Sequence, residues 1–565
     1  MIQPLIECVP NFSEGRNKII IDAIVQSIAE VKGIKVLNVD SGVATNRTVV
    51  TFVGRPDAVV DAAFRGIQKA GELIDMRYHQ GEHPRMGATD VCPFVPIRDV
   101  TMEEAVQYAI MLAKRVGEEL QIPVYLYEYA QPKEYRKSLS SIRAGEYEGF
   151  FEKIKRPEWV PDFGPAQMDP KRGATVIGAR KFLVAYNVNL NTTSVRRANS
   201  VAFDVREAGR VMREGSSAAG KIIYKDDGTP KIQPGMCKAV KAIGWYIEEY
   251  GIAQVSMNLT DIDVTPLHKA FEACCICAEK RGLRVTGSEL IGLVPLRVLT
   301  DAGKYFLRKQ GLSAGLSEKE LIKIAVKTLG LEELKPFRPE ERIIEYLIAD
   351  PKEQELIHKT VRDFVDTTAS ESPAPGGGSV SALCGALGAA LGAMVANLSA
   401  HKKGWEEQTE WFSTYAEQLQ ETKSKLLQLV DQDTMAFNEV MHALSLPKNT
   451  EEEKQVRQQT IERATYKAMQ VPYKVMKVAI ECMDILQIMA EKGNTNSVSD
   501  AGVGAMCLRT AILGAGMNVK INAQSILHRS EVKDLLKDVE NIEQLCEQKE
   551  KHIRELVDKK IVMTS

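Results

Sequence analysis

Two histidines stand four residues apart in the stretch HQGEHPRMGATDVCPF, in a chain of 565 residues that holds only 8 histidines. Gly81 lies between them and Pro84 follows the second, which disfavours the continuous helix that would present His79 and His83 as a metal-binding pair. Two other interpretations of His83 remain: a loop histidine that is merely hydrogen-bonded, or a general acid and base. An imidazole titrates near neutral pH and can take or give a proton during group transfer.

The residues around His83 suit the acid–base interpretation. Gly81 allows a substrate to approach the backbone closely, and the proline after His83 restrains the direction of the ring. Glu82, Arg85 and Asp90 are near enough in sequence to orient the imidazole or to bind a charged substrate. The sequence therefore predicts proton transfer at His83, with a structural histidine as the alternative.

A carboxyl group is the second candidate, in the stretch VDQDTMAF at 430–437. The helix predicted around it carries an apolar stripe made of Leu426, Val430, Phe437 and Val440. Asp433 falls within this stripe, whereas Asp431 points about 160° away at about 100° per residue. Burial raises the pKa of a carboxyl group and so favours a proton donor. The alternative is a structural aspartate paired with a neighbouring helix.

The run PAPGGGSVSA precedes a predicted helix, and Ser379 is its predicted N-cap. The backbone N–H groups of Gly376, Gly377 and Gly378 are then open to an anion at the helix N-terminus, unless the glycines are only a flexible lead-in. The order GxxxxGK followed by Ser or Thr is missing, so we exclude a nucleotide-binding P-loop.

Strands and helices alternate in the first third of the chain. Strands are predicted at 5–9, 34–40, 48–54, 91–97 and 123–127, and helices at 17–31, 57–74 and 101–119. The order β-α-β-β-α-β is the split-βαβ plan, and residues 182–330 repeat it. Two similar units in tandem predict a cleft between them.

The pattern changes at residues 335–352, which hold three prolines and many charges. Beyond 355 strand signals vanish, and helical runs are predicted at 353–368, 379–400, 405–443, 450–492, 498–521 and 529–560. We therefore predict a multidomain fold class: two tandem α/β (split-βαβ, ferredoxin-like) subdomains followed by an all-α helical-bundle domain. The predicted boundaries are 1–182, 183–348, a linker at 349–356, and 357–565.

Bulk composition is that of a soluble globular protein, with 44% apolar residues, 26% charged residues and a formal net charge of −2. We therefore expect neither a nucleic-acid nor a membrane partner. The glycine-rich apolar run at 380–400 is predicted to be a buried helix of the bundle or part of a dimer interface. Ten cysteines without a CxxC pair, and an N-terminus without a basic, apolar leader, predict a cytoplasmic location.

Long motifs connect the chain to a known family. Resemblance to glutamate formimidoyltransferase lies in CVPNFSEGRN (8–17), DSGVATNRTVVTFVG (40–54), GEHPRMGATDVCPF (81–94), IRAGEYEG (142–149) and GARKFLVAYNVNL (178–190). Resemblance to formimidoyltetrahydrofolate cyclodeaminase lies in SPAPGGGS (372–379), VDQDTMAF (430–437) and LPKNTEEEK (446–454). Together these motifs resemble the bifunctional formimidoyltransferase-cyclodeaminase family over nearly the whole chain.

For the α/β part, the resemblance implies transfer of the formimino group of N-formimino-L-glutamate to N5 of tetrahydrofolate, with His83 as the catalytic histidine. It also implies folate contacts in the loop before GARKF, which consists of Gly164, Pro165, Ala166, Gln167, Met168, Asp169, Pro170, Lys171, Arg172 and Gly173. Lys171 and Arg172 are suited to a carboxylate tail, although an ordinary surface loop is the alternative. Ligand-binding roles are also predicted for Asp40, Asn46 and Arg47, which lie in a matching motif.

For the helical part, the resemblance implies closure of the 5-formimino group onto N10 with loss of ammonia, with Asp433 as the general acid. Asn494, Asn496 and Asp500, at another helix start, are predicted to contact the pterin edge. The helical part also resembles methenyltetrahydrofolate cyclohydrolase, so hydrolysis of the methenyl product is one alternative function. An assembly protein without catalysis is the other.

The resemblance also bears on cofactors and partners. Tetrahydrofolate is expected as a co-substrate, with or without a polyglutamate tail, and neither a metal nor a nucleotide cofactor is expected. The family implies a homo-oligomer built of dimers. Residues 192–236 depart from the shorter vertebrate form of the family, and we predict there an elaborated helix and hairpin.

Overall fold

A computed structural model of the chain describes residues 4–43, 45–215, 220–349, 355–372 and 374–563. Packing divides it into two units: an α/β unit, Met1–Val298 with Leu329–Ile348, and a helical unit, Leu299–Thr328 with Ala349–Ser565. Residues 299–328 therefore pack in the helical unit, although the sequence predicted them in the second α/β subdomain. The loop 310–317 packs among the helices of this unit: Asn397 and Gln420 donate side-chain hydrogen bonds to the carbonyl oxygen of Gly315, at 2.8 and 3.1 Å.

The first α/β subdomain is a mixed sheet with helices. Its strands are β1 (Leu5–Cys8), β2 (Asn11–Phe12), β3 (Lys35–Gly42), β4 (Arg47–Gly54), β5 (Thr89–Arg98), β6 (Val124–Glu128) and β7 (Thr175–Ala179). Its helices are α1 (Lys18–Ala29), α2 (Pro56–Leu73), α3 (Met102–Glu119), α4 (Leu139–Arg143) and α5 (Glu146–Lys153). Strands β3, β4, β1 and β5 lie side by side and antiparallel, and β7 and β6 extend the sheet in parallel beyond β5. This order confirms the predicted ferredoxin-like plan.

Local sequence explains where the long helices of this subdomain begin. Pro56 is the first residue of α2, a position where the missing N–H has no intrahelical partner in any case. The apolar spacing then buries Val59, Val60, Ala63, Phe64, Ile67 and Ala70. Thr101 and Glu104 form a capping box that starts α3. Helix α2 thus has a buried face, and the sheet presents the ends of β4 and β5 to the site described below.

The second α/β subdomain repeats the plan. Its strands are β8 (Val184–Leu190), β9 (Arg210–Val211), β10 (Ile232–Gln233), β11 (Val240–Ile247), β12 (Ile252–Leu259) and β13 (Val285–Ile291), and its helices are α6 (Val195–Val205) and α7 (Leu267–Glu279). Strands β11, β12, β8 and β13 are neighbours in that order and antiparallel, which is again the ferredoxin-like order. In the described parts of the charged stretch, 192–215 and 220–236, the chain forms α6 and the antiparallel pair of β9 and β10.

Long helices make up the rest of the chain. They are α8 (Leu296–Lys309), α9 (Glu318–Leu329), the short α10 (Pro339–Arg342) and α11 (Ile344–Ile348), then α12 (Val361–Thr368), α13 (Gly377–Ala400), α14 (Thr409–Ser445), α15 (Glu451–Lys492), α16 (Val498–Ala523) and α17 (Ser530–Met563). The predicted helical runs are confirmed, except that in the described residues from 355 onward the run expected from 353 becomes helical only at Val361. The reason is long-range: Asp431 accepts the N–H groups of Leu356 and Ile357, at 2.7 and 3.3 Å. Residues 350–354, which make up most of the predicted linker, lie outside the described residues.

Helices α13 and α16 pack together in the helical unit. Within the described residues, Gly377–Ala400 and Thr495–Ile526 are long and apolar enough to cross a membrane by length and composition, and 61% and 50% of their most apolar windows are buried inside the unit. Small residues allow the close approach: a Cβ on Gly388 would lie 2.8 Å from the carbonyl oxygen of Gly504. The prediction of a buried helix over 380–400 is confirmed.

Candidate active sites

The imidazole of His83 is half-buried and bonded to an arginine. Its Nε2 lies 2.6 Å from Nη1 of Arg47. A guanidinium group can only donate, so Nε2 must accept this hydrogen bond and the ring is neutral, with its proton on Nδ1. Nδ1 is buried without a well-formed hydrogen bond. Burial, followed by the charges of Arg47 and Arg143, lowers the pKa of His83 to about 4.

Asn46 ties the histidine loop to the turn between β3 and β4. It adopts a left-handed conformation with φ of 47°, and its side-chain amide donates to the carbonyl oxygen of Gln80 at 2.9 Å. The ring of His79 bonds through Nε2 to the carbonyl oxygen of Asn46, also at 2.9 Å. A Cβ on Gly81 would overlap the carbonyl oxygen of Thr45, so only glycine fits there. His79 and Asn46 thus position the loop that carries His83.

A buried ion pair lies beside this loop. Asp90 is 1% exposed, accepts the N–H of Met86 at 3.0 Å, and accepts Nη2 of Arg143 at 2.5 Å. Burial raises the pKa of Asp90, and the charge of Arg143 opposes that rise. Asp90 therefore holds Arg143 rather than His83 itself. The importance of Arg143 was not predicted from the sequence; the only signal for it was its place in the motif IRAGEYEG.

Arg85, in the histidine loop, binds the IRAGEYEG motif. Arg85 pairs with Glu146 at 3.0 Å and with Glu148 at 2.6 Å, and its Nε donates to Nδ1 of His79 at 3.3 Å. Arg85 was a candidate for orienting the imidazole or binding a charged substrate. In the structure it is bound to protein carboxylates, so its role is to hold the IRAGEYEG segment against the loop.

The predicted folate loop, 164–173, approaches the histidine loop at its last residue. Gly173 has φ of 72° and forms a bridge with Gly87. The two basic groups expected to meet a carboxylate tail have protein partners: Lys171 donates to the carbonyl oxygen of Glu72 at 2.8 Å, and Arg172 pairs with Asp169 at 2.5 Å. Gly164, Ala166, Gln167 and Pro170 are exposed, Pro165 and Asp169 are half-buried, and Met168 is buried. A tail that binds here would have to displace these pairs.

Asp40 and Arg47, for which the sequence predicted ligand-binding roles, interact electrostatically in the structure. Asp40 is exposed at the end half of β3, and its charge raises the pKa of Arg47 against the larger lowering by burial. The structure therefore assembles one charged site at the start of β4, made of His83, Arg47, Asp90, Arg143 and Asp40.

The carboxyl group of Asp433 in α14 meets the first turn of α13. Its Oδ2 accepts the hydroxyl of Ser379 at 3.1 Å, and that hydroxyl also lies 3.1 Å from Oγ1 of Thr434. A Cβ on Gly378 would lie 2.5 Å from Cγ of Asp433. Burial raises the pKa of Asp433, and the hydroxyl and backbone N–H of Ser379 oppose that rise. The environment thus favours the protonated acid.

Two details of this helix start differ from the sequence prediction. Ser379 is not the N-cap: Gly376 is, and the helix begins at Gly377. The space at the glycines where an anion was expected is occupied by the protein itself, because the carboxyl group of Asp433 lies against Gly378. The prediction could not include this contact, because it depends on how α13 packs against α14.

Asp431 and the polar residues near 494–500 do not contribute to the site around Asp433. Asp431 is 4% exposed and accepts the backbone N–H groups already described for 356–357, so it is a structural carboxylate. Asn494 donates its backbone N–H to Ser399 at 2.8 Å, near the far end of α13. From Ser379 to Ser399 the helix covers 399 − 379 = 20 residues, which is about 30 Å. Within one chain, Asn494, Asn496 and Asp500 therefore do not join Asp433.

Within the part of the chain that the structure describes, no group of three or more His, Cys, Asp or Glu side chains could hold a metal ion. His79 and His83 bond instead to Asn46 and Arg47. Fold and sites together define a fused two-site enzyme class, with a histidine centre in an α/β unit and a shielded carboxyl group in a helical unit.

Comparison with known proteins gives the family. Residues 5–180 match the formiminotransferase domain, N-terminal subdomain; residues 185–349 match the formiminotransferase domain; and residues 360–541 match formiminotransferase-cyclodeaminase. A formimidoyltransferase-cyclodeaminase of Gallus gallus is 45% identical over 523 residues, which cover 92% of this chain and 93% of that protein. The chain belongs to the formimidoyltransferase-cyclodeaminase family.

Relatives with a single activity match the two parts separately. A glutamate formimidoyltransferase of Streptococcus pyogenes is 40% identical over 304 residues, 54% of this chain and 93% of that protein. A methenyltetrahydrofolate cyclohydrolase of Methylorubrum extorquens is 38% identical over 185 residues, 33% of this chain and 89% of that protein. These matches agree with two sites that function in separate parts of the chain.

Proposed function

We propose that the chain catalyses two consecutive folate reactions of histidine degradation. The α/β unit transfers the formimino group from N-formimino-L-glutamate to N5 of tetrahydrofolate, giving glutamate and 5-formiminotetrahydrofolate. The helical unit then closes this group onto N10, releasing ammonia and 5,10-methenyltetrahydrofolate. The observation that carries the proposal is the family match over 92% of the chain, together with one proton-transfer group in each unit.

In the transferase reaction, His83 moves the proton. The neutral imidazole takes the proton from the N5 amine as the amine attacks the formimino carbon, and then gives it to the departing glutamate nitrogen. Because Nδ1 is buried, this exchange takes place at Nε2. The low pKa of His83, about 4, keeps the ring in its basic form at neutral pH.

In the cyclodeaminase reaction, Asp433 supplies the proton that the departing ammonia needs. Ser379 donates its hydroxyl hydrogen to Oδ2, so the acidic proton of Asp433 belongs on Oδ1. The missing side chain of Gly378 leaves the room that this oxygen occupies. A carboxyl group shielded from water keeps its proton to a higher pH than an exposed one, which suits a general acid.

Two mutations test the division of labour. His83→Ala is expected to abolish formimino transfer and leave ammonia release from 5-formiminotetrahydrofolate near normal, whereas Asp433→Asn is expected to do the reverse. Methenyl absorbance and ammonia are both followed, each step assayed with its own substrate. If either folded variant loses both reactions, two separate sites are excluded; if His83→Ala retains transfer, His83 is not the base.

A second candidate function concerns the helical unit alone. Its similarity to a methenyltetrahydrofolate cyclohydrolase favours hydrolysis of the methenyl product instead of its formation. The two functions are separated by the same assay, because only a cyclodeaminase releases ammonia from 5-formiminotetrahydrofolate. An assembly protein without catalysis would show neither reaction.

The proposal includes self-association, as a homo-oligomer of dimers. Helices α13 and α16 expose large apolar side chains, among them Leu387, Leu398, Met506, Met517 and Ile521. Apolar surface of this kind on packed neighbouring helices is typical of a protein interface. The folate co-substrate is proposed to bind with or without a polyglutamate tail.

A further inference from the structure

His83 is blocked at the atom that the proposed reaction needs. Nη1 of Arg47 occupies the lone pair of Nε2 at 2.6 Å, and Nδ1 is buried. While this bond exists, His83 cannot accept a proton from a substrate, because its one basic lone pair is already engaged. Arg47 must therefore leave Nε2 before proton transfer.

The surroundings of Arg47 favour its departure toward an anion. In the described part of the chain Arg47 takes part in none of the ion pairs that the structure contains, and Asp90, the nearest buried carboxylate, is already bonded to Arg143. Burial is the main cause that lowers the pKa of Arg47; the charges of Asp90 and Asp40 raise it, and the charge of Arg143 lowers it. A neutral imidazole is a weak partner for a guanidinium group compared with a carboxylate.

Arg143, in the same site, has a hydrogen-bond donor without a partner. Nε of Arg143 is buried and has no hydrogen-bond partner, although Nη2 of the same side chain bonds to Asp90. Two guanidinium groups beside His83 thus have donor capacity that the protein does not use. A carboxylate of an incoming substrate is the acceptor that fits, since guanidinium and carboxylate pair with two hydrogen bonds.

We propose that Arg47 is a positioning residue gated by substrate: it covers Nε2 of His83 in the free protein and moves to the α-carboxylate of the amino-acid substrate, which uncovers the base. The inference rests on the proposed function, because N-formimino-L-glutamate carries this carboxylate next to the formimino nitrogen. Nε2 then takes the proton of the N5 amine, N5 bonds to the formimino carbon, and the bond to the glutamate nitrogen breaks as that nitrogen receives the proton. A formimino donor without a carboxylate leaves the gate closed.

The test uses Arg47→Gln in the full chain, with Arg47→Lys as the conservative variant. Arg65→Gln is the matched control, because Arg65 is exposed on α2 and pairs only with Asp61 one turn away. The KM for N-formimino-L-glutamate is expected to rise at least tenfold in Arg47→Gln, with a smaller change in kcat and little change in the KM for tetrahydrofolate. Arg47→Lys is expected to recover part of the affinity.

The pH profile gives a readout that a purely structural role would not change. The acid limb of kcat/KM reports the base of the free protein, and loss of the Arg47 charge is expected to move this limb upward by at least one pH unit. The charged groups facing the ring from other elements, Arg143, Asp90 and Asp40, are unchanged in the variant. The substrates titrate identically with both proteins, so the difference between the two profiles isolates the ring.

A measurement without turnover covers the case of an inactive variant. Diethyl pyrocarbonate attacks a free imidazole nitrogen, so modification of His83, followed by peptide mass analysis, is expected to be at least tenfold faster in Arg47→Gln than in the wild type or Arg65→Gln. An unmoved acid limb, an unchanged KM for the amino acid, or equal modification rates would each overturn the gate. Failure of the catalytic assignment itself shows differently, as transfer activity retained by His83→Ala.

Discussion

Replacing Gly378 by alanine would place a methyl group against the carboxyl group of Asp433. The added Cβ would lie 2.5 Å from Cγ of Asp433 and nearer still to Oδ1. Asp433 lies within the 37 residues of α14, so the backbone of that helix resists a shift. The end of a short side chain gives way more easily than either helix. The substitution is therefore expected to move the carboxyl group and to leave the bundle folded.

The size of the effect follows from the distance. Ordinary contact between carbon atoms begins at roughly 3.5 Å, so the carboxyl carbon must move by about 1 Å. A misplacement of about 1 Å at a reacting group typically costs about 100-fold in rate, which corresponds to about 2.7 kcal/mol of activation free energy. We expect cyclodeaminase kcat to fall by about that factor, because Oδ1 no longer points where the leaving nitrogen lies.

The assay is ammonia release from 5-formiminotetrahydrofolate, with formimino transfer measured in parallel. Transfer is expected to be unchanged. Gly502→Ala is the control, because a Cβ there meets Val557 at 3.4 Å, an ordinary contact far along the chain from this helix start. The reasoning is refuted if Gly378→Ala keeps wild-type deaminase activity, or if it loses activity only because its helical unit unfolds at a lower temperature than that of Gly502→Ala.

Two further predictions concern buried carboxyl groups. Burial raises the pKa of Glu7 from 4.5 to about 7, so the stability of the wild type is expected to fall as pH rises from about 4.5 through about 7; Glu7→Gln removes this fall and is more stable at pH 8 by about 3 kcal/mol. Thermal unfolding at a series of pH values checks it, and equal pH dependence in both proteins contradicts it. Asp431→Ala leaves the N–H groups of Leu356 and Ile357 without their acceptor, so it is expected to destabilise the helical unit by about 1–3 kcal/mol. Urea unfolding measures this loss, while deaminase kcat should stay within about twofold, since Asp431 acts in packing and not in proton transfer.

The periodic signals of the sequence were sufficient for the elements of the fold. Apolar spacing in 57–74 and the proline before it predicted α2, and the alternation of strands and helices predicted both ferredoxin-like sheets. The helix predicted over the described residues 355–360 was the main error, because helical propensity is local and the bond from Asp431 to 356–357 spans about 75 residues. Residues 299–328 lie within the segment 185–349 that matches the formiminotransferase domain, as the sequence predicted. The sequence did not predict that they pack within the helical unit, because that packing depends on long-range contacts such as those of Gly315.

The sequence could propose candidate site residues where chemistry is concentrated in one residue. His83 was proposed from its glycine and proline neighbours and Asp433 from an apolar stripe, and both roles stay predictions. The stripe did not predict burial correctly, because Asp431 is 4% exposed and Asp433 is half-buried.

The residues that surround His83 and Asp433 were harder to predict from the sequence. Arg143, near His83, is held by Asp90, which lies 53 residues away in the chain, and Ser379 is 54 residues from Asp433. Pairings of this kind depend on tertiary packing that periodicity does not encode.

The two groups proposed for proton transfer lie in separate units and have different electrostatic surroundings. His83 is kept in its basic form by burial and by the cations Arg47 and Arg143. Burial raises the pKa of Asp433, and the hydroxyl and backbone N–H of Ser379 oppose that rise. A guanidinium group near Asp433 would favour the carboxylate and abolish the acid. Without the cations Arg47 and Arg143 the pKa of His83 would be lowered less, although burial, the largest cause, would still lower it, and the substrate carboxylate would have no cationic partner. The two proposed roles therefore fit different surroundings: two guanidinium groups beside the proposed base, and burial without such a group for the proposed acid.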